Sequence, residues 1–169
     1  MKRIISLLFA LAITISIMAQ EDNSTLNKVG DKAPTFKCTT LDGKVIDTQK
    51  LKGKVIWVNF FATWCGPCRR ELPVLQEEVY KKYKDNKDFV LVVLGREEGV
   101  DKIKKFAEDN NYELPFAPDL ERKIFSQYAS QSIPRNVIID KKGKISLQSI
   151  GYIEKEFKEM QEHVAQLLK

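Results

Sequence analysis

The pentapeptide Trp64-Cys65-Gly66-Pro67-Cys68 constrains the fold of this chain more than any other stretch. It follows residues 54–61, a nearly unbroken run of apolar, β-branched and aromatic side chains. Such a run reads as a strand buried on both faces in the middle of a sheet. It precedes residues 66–84, where Leu72, Leu75, Val79 and Tyr83 recur at helical spacing. The two cysteines therefore stand where a buried strand hands over to a helix. There the unpaired backbone N–H groups and the helix dipole stabilise an anion, which lowers the pKa of Cys65. Cys68, one turn later, can close a disulfide with Cys65 or resolve a mixed disulfide on it. Pro67 suits the first helical turn, where its missing N–H costs nothing. Gly66 keeps the surface beside Cys65 open. Cys65 is expected to be the exposed attacking thiol and Cys68 the more buried resolving one. Pro73 falls inside the helix and is expected to kink it.

The rest of the chain builds a mixed α/β sheet around that unit. Residues 34–47 read as a hairpin turning at Leu41-Asp42-Gly43. Residues 88–94 form a second buried strand, and the helix between the two strands implies a parallel pair with a right-handed crossover. A helix is predicted over 99–110, with Val100, Ile103, Phe106 and Ala107 on one face. An extended piece at 114–116 and a helix over 119–129 follow. Strands at 135–139 and 144–152 pair antiparallel across Lys141-Lys142-Gly143, and a helix over 154–168 closes the chain. No second domain or internal repeat is visible. The length of 169 residues suits one domain that buries a core without disulfide staples.

The N-terminus reads as an export signal over 1–19: Lys2-Arg3, an apolar run to Ala19, then a polar break at Gln20. The run is shorter than the roughly 20 residues that span a bilayer. An uncleaved anchor is the alternative, because Ile17 is not small. Residues 20–32 read as a flexible leader, with a glycosylation sequon at Asn23-Ser24-Thr25. Residues 33–169 make up the folded domain. Removing Lys2 and Arg3 from 28 basic residues against 23 acidic ones leaves a charge of +3, with no basic stripe for nucleic acid. Export favours disulfides, yet three cysteines do not make a disulfide framework. They read as one local redox pair plus Cys38, a small buried hydrophobe in the hairpin. The lone histidine, His163, argues against a Ser–His or Cys–His device.

The segment from Phe60 through Cys65-Gly66-Pro67-Cys68 to Arg69-Arg70-Glu71-Leu72-Pro73 resembles the active-site segment of thioredoxin-fold proteins. With the export signal and Pro34-Thr35-Phe36, it is most similar to the exported TlpA/ResA branch, over nearly all of residues 29–169. The resemblance implies a thioredoxin fold: a central mixed β-sheet with helices on both faces, an N-terminal hairpin and a helical insertion before the cis-proline strand. It implies a thiol–disulfide oxidoreductase whose only redox group is the Cys65/Cys68 pair, with no metal or other cofactor. Its partners would be client proteins with exposed cysteines or disulfides, in cytochrome c maturation among other settings. A membrane reductant carrier would recharge it, and it would act as a periplasmic monomer. Pro134 would be cis. Ile133 would offer its backbone to a client strand, and Trp64, Gly66 and Pro67 would line the docking surface.

Several residues depart from the pattern or leave a choice. Asn59 stands where thioredoxin carries a titratable buried aspartate. Glu71, on the same helix face as Cys68 and matched by a glutamate in ResA-like proteins, is the candidate base for it. The other reading of Glu71 is an exposed first-turn glutamate favouring the helix dipole. Trp64 either shields the disulfide or packs as an ordinary core aromatic. Arg135 either biases a docking groove toward acidic partners or is simply exposed. Two other functions remain in view. A peroxiredoxin-like peroxidase would share residues 33–36, but needs a proline-bearing loop before its cysteine and no Cys68. A copper carrier would use soft thiolates, but lacks a histidine near Pro134.

Overall fold

The computed structural model describes residues 23–169. The signal sequence predicted over 1–19 lies outside the described residues. Strands β1 (Lys37–Thr39) and β2 (Val45–Asp47) form a separate antiparallel hairpin. The main sheet has five strands in the order β5-β4-β3-β6-β7. These are β3 (Val55–Phe61), β4 (Phe89–Arg96), β5 (Phe116–Asp119), β6 (Arg135–Ile139) and β7 (Ile145–Ile150). β4 pairs parallel with both β3 and β5, whereas β6 runs antiparallel to β3 and β7. This is the thioredoxin fold that the sequence implies.

β3 is the central strand because every one of its seven residues is buried. Its alternation sorts the core into two layers. Val55, Trp57 and Phe61 face one side, where Leu72 and Leu75, Ile103 and Phe106 of α3 (Val100–Asp109), and Phe157, Met160 and Val164 of α5 (Glu154–Leu167) pack. Ile56, Val58 and Phe60 face the other side, closed by the hairpin, Ala33, Phe36 and α4 (Phe125–Tyr128). Burying each such Leu, Ile or Phe side chain contributes about 1.5–3 kcal/mol. Among the described residues, no helix is long and apolar enough to cross a membrane.

The helix after the cysteines starts as α1 (Gly66–Val74) and keeps Pro73 inside it. The proline's missing N–H breaks the regular ladder. The next turn widens into a π-helical stretch, Leu75–Tyr80, where the Lys81 N–H reaches back five residues to the Gln76 carbonyl. The short α2 (Lys81–Tyr83) then completes the expected span.

Two expectations require correction. The helix predicted over 119–129 is mostly a turn: β5 continues through Asp119, and only α4 is helical. Asp119 is responsible, because its carboxylate accepts from the Ile124 and Phe125 N–H groups at 3.0 and 2.7 Å and holds the turn open. Leu120, inside the span predicted as helix, is exposed as a result. The described part of the predicted flexible leader is also docked. Thr25 bridges to Ala129 and Lys32 to Lys144, while the Leu26 N–H donates to the Tyr128 carbonyl at 2.9 Å. Ser24 is buried.

Candidate active site

Cys65 caps the N-terminus of α1, and its sulfur lies 3.3 Å from the Cys68 amide nitrogen. Cys65 and Cys68 are joined as a disulfide across a Cα–Cα distance of 5.3 Å. The expected order of exposure holds, but its scale does not. Cys68 is fully buried, and Cys65 keeps only 4% of its surface in this oxidised form. The nearest polar neighbour from another element is the Ile133 carbonyl oxygen, 3.7 Å from Cys65 Sγ. The Ile133–Pro134 peptide is cis, as the resemblance implies, and Ser132 before it adopts a left-handed conformation at φ 70°. Trp64 is 64% exposed beside the pair, so it is not a core aromatic.

Beneath the disulfide lies a polar cluster inside an otherwise apolar layer. Glu71 has no exposed surface, which removes the reading of it as a surface glutamate. Its Oε1 accepts from Asn59 Nδ2 at 2.6 Å and from Asn136 Nδ2 at 2.8 Å. Asn59 and Asn136 are cross-strand partners in the β3–β6 register. Asn136 Oδ1 accepts from Trp57 Nε1 at 2.8 Å and from Asn59 Nδ2 at 2.9 Å. Indole is a donor only, so Trp57 fixes which end of the Asn136 amide turns to Glu71. Burial pushes the Glu71 carboxyl up to about 7, against the opposing pull of the Asn136 and Asn59 hydrogen bonds. The Tyr152 hydroxyl is also raised, by burial first, then by Glu154 and Glu71.

A second buried carboxylate holds the approach to Cys65. Glu98 accepts from the Thr63 N–H at 2.8 Å and the Thr63 hydroxyl at 2.7 Å, and pairs with Lys102 at 2.7 Å. Arg69 stacks its guanidinium over the Phe106 ring at 5.6 Å. Cys38 is buried away from the pair, with its thiol pushed up to about 11 by burial and then by Asp119. His163 sits on α5 against Ser146.

The Redoxin family profile matches residues 28–166. The chain belongs to the Redoxin family. Among curated Redoxin-like relatives, it is 38% identical to "Thiol-disulfide oxidoreductase ResA" of Bacillus thuringiensis (strain Al Hakam) over 129 residues, which are 76% of this chain and 73% of that one. It is 37% identical to "Thioredoxin-like protein YneN" of Bacillus subtilis over 135 residues, 79% and 76% of the two chains. Among solved structures, a disulfide isomerase candidate from Bacteroides thetaiotaomicron superposes with a TM-score of 0.82 at 36% identity. That match covers 86% of this chain and 92% of the other. A candidate thiol:disulfide interchange protein DsbE from Chlorobium tepidum gives a TM-score of 0.74 at 28% identity, covering 84% of this chain and 99% of the other. This Redoxin protein is therefore a thiol:disulfide oxidoreductase acting on thiol- or disulfide-bearing substrates, with Cys65–Cys68 as its redox-active disulfide.

The fold brings together Cys65, Cys68, Trp64, Gly66, Pro67, Ile133 and Pro134 at one end of the sheet, with Glu71 beneath them. Sequence reasoning passed over Asn136, Glu98 and the true role of Arg135. An asparagine in the apolar strand of residues 135–139 was the available signal for the first. Nothing in the sequence links Glu98 to Thr63, 35 positions away. Arg135 is corrected outright: it is fully buried and faces no docking groove. It follows Pro134 on β6, on the opposite side of the sheet from Asn136, because neighbouring strand residues point to opposite faces.

Proposed function

We propose that the protein works as an exported reductant of client disulfides, with Cys65 as nucleophile, Cys68 as resolving thiol and Glu71 as the proton acceptor for Cys68. The observation that carries this reading is a fully buried Glu71 one helical turn from Cys68, with its carboxyl held near 7. A base is most effective when its pKa lies near the working pH.

In the reduced protein, the Cys65 thiolate attacks one sulfur of a client disulfide. A Cys65–client disulfide forms, the client's S–S bond breaks, and the other client sulfur leaves as a thiolate and takes up a proton. Cys68 gives its proton to Glu71 and attacks Cys65 Sγ. The Cys65–Cys68 bond forms, and the second client sulfur departs as a thiolate and takes the proton that Glu71 holds. Two electrons pass to the client, with one proton from solvent and one from Cys68 through Glu71, and a membrane reductant carrier restores the dithiol. The client chain pairs with the Ile133 backbone and lies against Trp64, Gly66 and Pro67. Cytochrome c maturation is the setting that the resemblance to the TlpA/ResA branch implies, with the protein acting as a monomer outside the cytoplasm.

The deciding experiment equilibrates the domain in graded thiol buffers. A potential near the thioredoxin end of the scale, about −270 mV, supports the reductant role. A potential near about −120 mV would make it a disulfide donor instead.

A further inference from the structure

Arg135 is completely buried, and among the described residues its guanidinium is met from two places. Nη1 donates to the Thr25 hydroxyl at 2.8 Å, and Nη2 donates to the Ser24 hydroxyl at 2.8 Å. Nη2 also reaches the Gln131 carbonyl at 3.2 Å. The last contact joins the two ends of the segment 131–135, so the guanidinium closes the loop that carries Ser132, Ile133 and Pro134. The two hydroxyls come from the N-terminal strap, which is laced to the start of the same loop by backbone bonds. The Leu26 N–H donates to the Tyr128 carbonyl and the Ser130 N–H to the Ser24 carbonyl, both at 2.9 Å. The loop's exit is fixed by the Gly151 N–H on the Pro134 carbonyl at 2.8 Å.

A buried guanidinium keeps its position only while its donors are met, since an unpaired buried charge costs several kcal/mol. The hydroxyls of the strap therefore help determine where Arg135 sits. Arg135, in turn, determines the path of the residues between Gln131 and itself. Ile133 lies in the middle of that path, with its carbonyl facing Cys65.

We propose that Ser24 and Thr25 are positioning residues, acting through Arg135 to hold the Ile133 backbone in the form that receives a client strand. The proposal rests on the strand-docking reading given above. The strap then sets how tightly clients dock, while leaving the chemistry of the disulfide itself alone. It also explains why a segment of leader composition is docked onto the domain.

The test uses the full chain and a Ser24→Ala/Thr25→Val double variant, which removes the two hydroxyl acceptors, leaves the Gln131 carbonyl and nearly keeps the bulk. Prereduced protein is mixed with a synthetic peptide carrying an internal disulfide. Oxidation is followed by tryptophan fluorescence at increasing peptide concentration, which separates the apparent dissociation constant from the limiting rate. In parallel, the oxidised proteins are reduced with dithiothreitol, which is too small to pair along a strand. The expected result is an apparent dissociation constant raised about tenfold, the effect of losing hydrogen bonds to a charged group. The limiting rate and the dithiothreitol rate should stay within about twofold, because the substitutions touch neither sulfur. The Ser24→Thr/Thr25→Ser swap, which restores both hydroxyls, should recover most of the affinity.

An unchanged dissociation constant in the folded double variant would overturn the proposal. So would a proportional loss of both peptide and dithiothreitol rates, which marks general loosening. If the wild-type protein shows no saturation with peptide at all, the strand-docking reading itself falls, and this proposal with it.

Discussion

Asn136 points its amide nitrogen at Glu71 Oε1, 2.8 Å away, because Trp57 claims its carbonyl oxygen. A tryptophan two residues before Asn59 on β3 thus orients the groups that tune a carboxyl on α1. Asn59 cannot titrate; it donates at 2.6 Å to Glu71, the residue that the proposed mechanism makes the proton acceptor.

Glu71→Gln tests that role directly. With the carboxyl near 7, the base form accumulates as pH rises from 6 to 8. The wild-type resolution step should therefore accelerate across that range. The amide variant should lose this rise and be slower at pH 8 by about 100-fold, the lower end for a positioned base. Single-turnover kinetics against pH would show it. Identical profiles in both proteins would remove Glu71 from the mechanism.

The same residue makes a prediction about stability, with its sign fixed by linkage. Glu71 binds its proton more tightly folded, near 7, than at its ordinary value of 4.5. Between those values the folded state holds the extra proton, so stability falls as pH rises through that window. The effect is complete below about 4.5 and gone above about 7. Glu71→Gln removes the buried charge and should be more stable than wild type at pH 8 by up to roughly 3 kcal/mol. At pH 4.5 the advantage should vanish. Urea unfolding at the two pH values measures the difference, and other titrating groups cancel in the comparison.

Asn136→Ala should be costly for a different reason. It strips a donor from Glu71 and the acceptor from the buried Trp57 N–H. Leaving buried polar groups unpaired costs about 1–3 kcal/mol each. It also removes a hydrogen bond that lowers the Glu71 pKa, so the kinetic midpoint should move further up. A lower unfolding midpoint with an unmoved pH profile would mean that Asn136 serves the fold alone.

Much of this site is legible in the chain because its signals are local. The apolar run at 54–61, the cysteine spacing and Pro67 lie within fifteen positions, and a strand, a helix cap and a redox pair follow from them. The resemblance then supplies Pro134. What stays hidden depends on contacts between distant elements. Arg135 looks like a surface residue until Ser24 and Thr25, more than 100 positions earlier, arrive to meet it. Asp119 looks like part of a helix until its carboxylate is seen capping two amides ahead. Charged and polar residues are read as exposed by default, and these are buried because partners from elsewhere satisfy them.

Glu98 makes the last prediction, since it is the partner that no local pattern reveals. Its carboxylate accepts from both hydrogen-bond donors of Thr63, two residues before Cys65, and is itself covered to 2% exposure. Glu98→Ala removes both contacts, leaves the Thr63 N–H buried without its partner and frees Lys102. The expected cost is about 1–3 kcal/mol of stability. The loop carrying Trp64 and Cys65 should then sample positions away from the Cys65-to-Ile133 contact. Client exchange and alkylation of reduced Cys65 should respond in opposite directions: slower exchange, because the nucleophile is less well placed, and faster alkylation, because its sulfur is less covered. Timed iodoacetamide labelling followed by mass spectrometry measures the second effect. Cys38, with its thiol near 11 and buried, serves as the unlabelled internal standard at pH 8. If Cys65 labelled no faster in the variant, Glu98 would be a stabiliser of the fold with no hold over the nucleophile.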